Sequence, residues 1–192
     1  DFINNKNFVE IGFHHMEFNC LGLVKKNYKG LMIDGGRLIN ILLLQIIFLI
    51  LKKNVKVIKK YLTLENIFQS IHFKKIGCLS LDIDGNDYWI WEKINKIKPI
   101  IFVCEYNAVL GDIKKLTIPY KKNFLRTKFH YSNLAFGASI NAFEELSERK
   151  GYVFIGTNSN GVNAYFIKKK YFKFIKNKIK NFKKFPSKFK ES

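Results

Sequence analysis

The stretch at residues 80–92, SLDIDGNDYWIWE, joins the end of an apolar run to a cluster of acids and two tryptophans. Residues 75–85 have the pattern of a buried strand, and residues 87–97 that of a helix with Asp87 as its N-cap. A strand that leads directly into a helix is the repeating unit of α/β domains with a parallel sheet. The stretch therefore predicts a central strand whose carboxyl end carries the acids.

The same alternation of strands and helices extends along most of the chain. Further strands are predicted at residues 7–12, 29–36, 54–62 and 99–107, and helices at 21–28, 38–53, 63–71 and 139–151. Residues 152–169 read as two strands around NSNG, which is a hairpin signal. We therefore predict a doubly wound, Rossmann-like α/β fold, with a mainly parallel sheet and an antiparallel C-terminal edge. Residues 108–138 show no clear period, and a loop of that length is often functional.

Composition favours a single domain with a basic surface. The chain has 192 residues, 47% of them hydrophobic, and a formal net charge of +19. We predict one domain at residues 1–168 and a lysine-rich tail at 169–192.

The positive net charge has two interpretations, a compositional bias or an anionic partner. The tail is either a solvated end or a basic helix that docks on an anionic membrane surface or an acidic polymer. A nucleic-acid partner is disfavoured, because the sequence lacks the Asn-Pro-Pro-aromatic motif of many enzymes that modify nucleic acids.

Three further features bear on location. Cys20, Cys78 and Cys104 have no metal-binding spacing, so we expect reduced, mostly buried thiols in a cytoplasmic protein. Residues 38–50 are apolar except for two amides, but a bilayer span takes roughly 20 apolar residues. We therefore predict a buried helix there, with peripheral membrane association as the alternative. Since the chain begins at Asp1 without a methionine, we also expect a segment upstream of it.

Polar residues follow four of the predicted strands at the point where each strand ends. In open α/β sheets, ligands bind outside the carboxyl ends of the strands, so these residues are candidates for one site. The candidates are Glu10, Gly12, Asp34, Asp82, Asp84 and Glu105. Glycine permits a close backbone approach to a ligand, and an acid after the second strand can accept hydrogen bonds from both hydroxyls of a ribose.

Asp82 and Asp84 leave two interpretations open. On an extended strand they would face the same side, where they could deprotonate a hydroxyl or hold a cation. Alternatively, Asp84 makes a turn with Gly85 and has no chemical role. An EF-hand is excluded because Gly85 comes too early and the twelfth position is Lys93. Adjacent histidines after the first strand lack a partner at ligand spacing, so no metal site is predicted.

The order of strand-end motifs resembles that of the FkbM-type methyltransferases. The fourth strand of that family typically ends in Asp-x-Glu-Gly-x-Glu, and DIDGND at residues 82–87 has the same spacing with shorter acids. FVCEYN at 102–107 is similar to the fifth strand of the family, and AFEELSERKGYVFIG at 142–156 to its late helix and sixth strand. TIPY and TNSNGVNAYFI resemble a subgroup associated with surface polysaccharides. The resemblance extends over about residues 8–168.

The resemblance implies a function and a cofactor. Members of the family use S-adenosylmethionine to methylate hydroxyl oxygens, often on sugars. By this resemblance, the cofactor would be held by Glu10, Gly12 and Asp34, and the transfer site would be lined by Asp82, Asp84 and Glu105. The first loop has one glycine, whereas the family usually has two or three. The alternative is therefore a diverged, non-catalytic binding module of the same fold, whose basic tail docks on a membrane or an acidic polymer.

Overall fold

A computed structural model describes residues 5–179 of the chain. Its strands are β1 Asn7–Ile11, β2 Lys29–Asp34, β3 Val55–Lys59, β4 Cys78–Leu81, β5 Ile101–Glu105, β6 Tyr152–Thr157 and β7 Asn163–Lys168. They form one sheet in the order β3-β2-β1-β4-β5-β7-β6. The five strands from β3 to β5 are parallel, and β7 is antiparallel to both of its neighbours. The predicted fold, with its antiparallel C-terminal edge, is confirmed.

Helices cover both faces of the sheet. They are α1 Leu21–Lys25, α2 Leu38–Ile50, α3 Ile67–Ser70, α4 Asp87–Lys93, α5 Arg126–Phe129, α6 Ile140–Arg149 and α7 Lys169–Phe172. The larger core lies under α3, α4 and α6, where the Trp91 ring stacks on Phe102 at a centroid distance of 3.7 Å. A smaller core on the other face is formed with α1 and α2. All three cysteines are buried and free, as predicted.

The boundaries of α6 follow from its end residues. The Ser139 hydroxyl accepts a hydrogen bond from the Ala142 N–H, which caps the first turn. Gly151 follows the last turn with φ of +82°, a conformation that glycine adopts without strain. The predicted start and stop of this helix are therefore confirmed. In the lysine-rich tail, residues 180–192 lie outside the described residues.

The helix α2 differs from its prediction. Ile41, Leu44 and Phe48 are buried against the edge strand β3, and they form a single stripe along the helix. Most of the other aliphatic side chains of α2 are exposed. The prediction of a buried helix is wrong, because an all-apolar pattern indicates burial but α2 lies in the outer layer with nothing packed over it in residues 5–179. Over the same residues, no helix is long and apolar enough to cross a membrane.

A close contact joins the central strands β1 and β4. The Asp82 N–H donates to the Ile11 carbonyl oxygen at 2.8 Å, and Gly12 then turns with φ of +76°. A Cβ on Gly12 would overlap the Asp82 carbonyl oxygen, which belongs to backbone held in the sheet. The absence of a side chain at Gly12 therefore allows the carboxyl ends of β1 and β4 to meet.

We expect Gly12→Ala to lower the free energy of unfolding by about 3 kcal/mol or more, since both the positive φ and the overlap with backbone oppose a side chain. Gly151→Ala is the matched control, because Gly151 has φ of +82° but open space around it. It should cost only about 1 kcal/mol. Urea denaturation measures both values, and equal losses would show that the contact with Asp82 contributes nothing.

Candidate functional site

A cavity of about 660 Å³ opens at the carboxyl ends of β1, β2, β3 and β4. The strand order reverses between β1 and β4, and crevices at such switch points are where open α/β sheets bind ligands. Five of the six candidate residues line it, namely Glu10, Gly12, Asp34, Asp82 and Asp84. Its volume lies within the range of about 300–1,000 Å³ that small-molecule sites occupy. The convergence of strand ends that the sequence predicts therefore produces one cavity.

Glu10, near the end of β1, holds the first loop in place through hydrogen bonds. Its two carboxylate oxygens accept hydrogen bonds from the backbone N–H groups of Asn19, at 2.6 Å, and Cys20, at 3.0 Å. Burial raises the pKa of Glu10 to about 7, although the two N–H groups oppose that rise. Since both oxygens already bind the loop, Glu10 shapes the wall of the cavity through the loop backbone.

The loop after Gly12 leaves the cavity open despite its large side chains. The backbones of His14 and Glu17 pair in a tight turn, with hydrogen bonds of 3.0 and 3.1 Å. This turn points Met16 outward, with 79% of its surface exposed. Among the three bulky residues His14, His15 and Met16, only His14 lines the cavity. The shortage of glycine in this loop is therefore compatible with a ligand.

Asp34 stands half-buried at the rim, directly after β2. One carboxylate oxygen accepts from the Gly36 N–H at 2.5 Å, and the other accepts more weakly from the Phe13 N–H at 3.4 Å. A carboxylate oxygen can accept two hydrogen bonds, so each oxygen of Asp34 retains one acceptor position. The carboxylate can thus bind a pair of neighbouring hydroxyl groups.

Asp82 and Glu105 are two acids that interact with each other at the ends of β4 and β5. Burial, followed by repulsion from Asp87 and Asp84, raises the pKa of Asp82 to about 7, and a hydrogen bond with the Glu105 side chain opposes that rise. Burial and the charge of Asp82 also raise the pKa of Glu105 well above its ordinary value. Glu105 lies behind Asp82 and outside the cavity lining. Asp82 therefore presents to the cavity a carboxyl group that exchanges its proton near neutral pH.

Asp84 does not share a strand face with Asp82. The strand ends at Leu81, and Asp84 has φ of +59°, so the alternation of an extended strand no longer applies. Its carboxylate instead accepts from Arg126 Nη1 at 3.1 Å. The expectation that both aspartates face one side is wrong. Asp84 lies at the mouth of the cavity, whereas Asp82 lies deeper.

The 108–138 segment folds against that mouth. The guanidinium carbon of Arg126 lies 3.7 Å from the centroid of the Phe136 ring, which fixes the arginine beside Asp84. Phe124 and its neighbour Leu125 line the cavity, and the Phe124 carbonyl accepts from the Tyr61 hydroxyl at 2.8 Å. This segment has a small core of its own under the loop. It therefore forms one wall of the site.

Asp87 has a different role from the one predicted. The N-cap of α4 is Asn86, and Asp87 is the first residue of the helix. Its oxygens accept from the N–H groups of Ile83 and Gly85, at 2.8 and 2.9 Å, and so hold the DIDG turn in shape. Burial raises the pKa of Asp87 to about 6. The prediction of an N-cap is wrong because the carboxylate reaches back to the turn.

Two asparagines of the site, Asn19 and Asn163, were not predicted from the sequence. Asn163 Nδ2 donates to Asn19 Oδ1 at 3.1 Å, and Asn19 Nδ2 donates to the Ser80 hydroxyl at 3.1 Å. Asn163 is buried, lines the cavity, and its Oδ1 has no hydrogen-bond partner among the described residues. It pairs with Glu105 across β5 and β7. Counting the hairpin register from NSNG could have placed Asn163 near the strand-end acids.

Within residues 5–179, no group of three or more histidine, cysteine, aspartate or glutamate side chains is arranged to hold a metal ion. The acids of the site instead interact with backbone N–H groups, with Arg126 and with one another.

Comparison with known proteins identifies the fold. No protein-family model matches the sequence, and no curated protein matches it. A solved structure assigned as a caffeoyl-CoA O-methyltransferase from Staphylococcus aureus has a TM-score of 0.54 at 16% identity, over 87% of this chain and 78% of that one. An O-methyltransferase from neocarzinostatin biosynthesis, in complex with S-adenosyl-L-homocysteine and 1,4-dihydroxy-2-naphthoic acid, has a TM-score of 0.52 at 14% identity, over 87% of this chain. Monomeric WbdD has a TM-score of 0.51 at 12% identity, over 85% of this chain.

This likeness shows the fold, which is Rossmann-like and shared with methyltransferases. The chain spans only 50% of the neocarzinostatin O-methyltransferase and 36% of WbdD. Identities of 12–16% leave the activity of the chain to be argued from its own site.

We expect Asp82→Asn to stabilise the fold at alkaline pH. Because the pKa of Asp82 rises from 3.8 to about 7 on folding, the folded state holds an extra proton between these values, and its stability falls as the pH rises through that window. At pH 8 the substitution removes a buried charge and should raise the free energy of unfolding by about 1–3 kcal/mol. Urea denaturation should show a smaller gain at pH 4.5. The exposed Asp112→Asn is the control, and a gain independent of pH would contradict the assignment.

Proposed function

We propose that this chain is a methyltransferase that uses S-adenosylmethionine and methylates a hydroxyl oxygen of a saccharide or another small molecule. The proposal rests on one juxtaposition: Gly12, Asp34 and Asp82 border the same cavity at the switch point of the sheet. The motif order of the FkbM-type enzymes, which the strand ends resemble, supports the same reading. The described fold is also that of O-methyltransferases with S-adenosyl-L-homocysteine bound.

The residues of the cavity fit the cofactor. Asp34 would hold the ribose through its two spare acceptor positions, as acids after a second strand do in doubly wound folds. Gly12 would contribute backbone to the wall beside the cofactor, where the turn after β1 borders the cavity. When bound, S-adenosylmethionine supplies an electrophilic methyl group on a positively charged sulfur. The acids that surround the cavity would favour that charge.

Three acceptor oxygens suit the methyl-accepting hydroxyl. Asp82 faces the cavity, and Asn163 contributes a buried Oδ1 that has no partner among the described residues. A hydroxyl can donate to either group, which would orient its lone pair for attack on the methyl group. Asp82, with a pKa of about 7, would take the hydroxyl proton as the new C–O bond forms. Glu105 would position Asp82 from behind.

The proposal also includes the cellular location of the protein and a role for its lysine-rich tail. We place the enzyme in the cytoplasm, on the basis of its three reduced thiols. The lysine-rich tail at residues 169–192 would bring it to an anionic membrane surface. Only residues 169–179 of that segment are described, and they contain the short helix α7.

We expect S-adenosylmethionine and its demethylated product to bind with micromolar dissociation constants in isothermal titration calorimetry. Asp34→Asn should weaken both by at least tenfold, since an amide loses one acceptor and the charge that strengthens a hydrogen bond to a hydroxyl. Asp112→Asn, an identical change at an exposed acid outside the cavity, should leave the affinity unchanged. The absence of binding at millimolar cofactor would exclude the enzyme and favour the non-catalytic binding module.

A further inference from the structure

The outer face of α2 is an apolar surface without cover among residues 5–179. The buried stripe of the helix faces β3, and on the opposite side Ile39, Leu42, Ile46 and Ile50 recur at helical spacing. Ile46 is 50% exposed and Ile50 is 73% exposed. A helix that is apolar on every side is normally buried in a protein core or in lipid. Apolar side chains in such a continuous row, in contrast to scattered ones, mark a site of interaction.

The chain segment between Asp34 and Glu65, which contains α2, carries only positive charges. From residue 35 to residue 64 the chain has six basic residues and no acid. Lys52 and Lys53 follow the helix directly, and Lys53 Nζ donates to Asn27 Oδ1 at 2.7 Å. That bond brings the end of α1, with Lys25 and Lys26, beside the end of α2. The apolar face thus has a cluster of four lysines at its C-terminal end.

We propose that this face, defined by the outer side chains of α2 and the lysines at residues 25, 26, 52 and 53, docks the protein on an anionic lipid bilayer. Aliphatic side chains would enter the interface between headgroups and acyl chains, and the lysines would bind anionic headgroups. The helix has 13 residues and is about 20 Å long, which is shorter than the hydrocarbon core of about 30 Å, so it would lie along the surface.

A second copy of the chain is the less suitable occupant. In a twofold contact between two α2 helices, each end would meet basic residues only, because Arg37 precedes the helix and the lysines follow it. Like charges across such an interface would repel. An anionic bilayer, in contrast, would bury the apolar face and also neutralise the positive charge of the lysines. None of the residues of the proposed surface lines the cavity, whose lining includes Glu10 and Asn163. The docking proposal therefore does not depend on the methyltransferase assignment.

The test is flotation of the full chain with vesicles of neutral phosphatidylcholine, with or without 30% phosphatidylglycerol. We expect binding to the anionic vesicles that weakens at high salt. Ile46→Gln with Ile50→Gln should lower the partition coefficient at least tenfold, since glutamine keeps the helix propensity but cannot enter the lipid. Val109→Gln with Ile113→Gln removes two exposed aliphatic side chains elsewhere and should leave binding unchanged.

The charge requirement is tested in the same way. Lys26→Gln with Lys52→Gln should weaken binding about tenfold at low salt, whereas Lys96→Gln with Lys98→Gln, on the other face of the sheet, should weaken it less than threefold. Circular dichroism and thermal unfolding verify that all variants fold. Undiminished binding by the Ile46/Ile50 variant would assign docking to the tail and overturn the proposal. Absence of wild-type binding, or a wild-type dimer that this variant dissociates, would also overturn it.

Discussion

The structure depends on how four carboxyl groups near the ends of the adjacent strands β1, β4 and β5 are compensated, of which Glu10 and Asp87 are buried and Asp82 and Glu105 are half-buried. Glu10 and Asp87 each accept two backbone N–H groups, so they fix the first loop and the DIDG turn. The side chains of Asp82 and Glu105 form a hydrogen bond with each other. One Glu105 oxygen has no hydrogen-bond partner among the described residues. Carboxyl groups of this site are therefore structural where backbone N–H groups satisfy them, and those without such partners are left to interact with one another. Burial raises the pKa of both Glu10 and Asp82 to about 7, and repulsion from neighbouring acids adds to the rise at Asp82.

The fold could be predicted from the sequence because it depends on local patterns. Apolar runs that end in acids or glycine predict parallel strands, and NSNG predicts the hairpin that forms the antiparallel edge. The strand-end residues could be grouped at one edge for the same reason. Their individual roles depend on geometry that periodicity does not contain. Asp84 leaves the strand with a positive φ, Asp87 reaches back to the turn, and Asn163 meets Asn19 across 144 residues.

The charges are divided between an acidic interior site and a basic exterior. The chain has 15 acids against 34 lysines and arginines, and several of those acids converge on the cavity. Burial at the switch point gives this minority a strong local field, because interactions inside a protein are screened less than those at its surface. The proposed cationic cofactor and the proposed anionic surface would thus be attracted to different parts of one molecule. The net charge of +19 describes the exterior and says little about the site.

The position of α2 links the two regions mechanically. Asp34, Gly35 and Gly36 line the cavity, and α2 begins two residues later, at Leu38. A docked α2 would therefore hold the rim of the cavity within a few residues of the lipid headgroups. The Phe124 wall and Tyr61 adjoin the same rim, since the Tyr61 hydroxyl donates to the Phe124 carbonyl oxygen. If α2 docks as proposed, an acceptor molecule held at the membrane surface would approach the cavity from the rim at Asp34, Gly35 and Gly36, which lies next to the start of the docked helix.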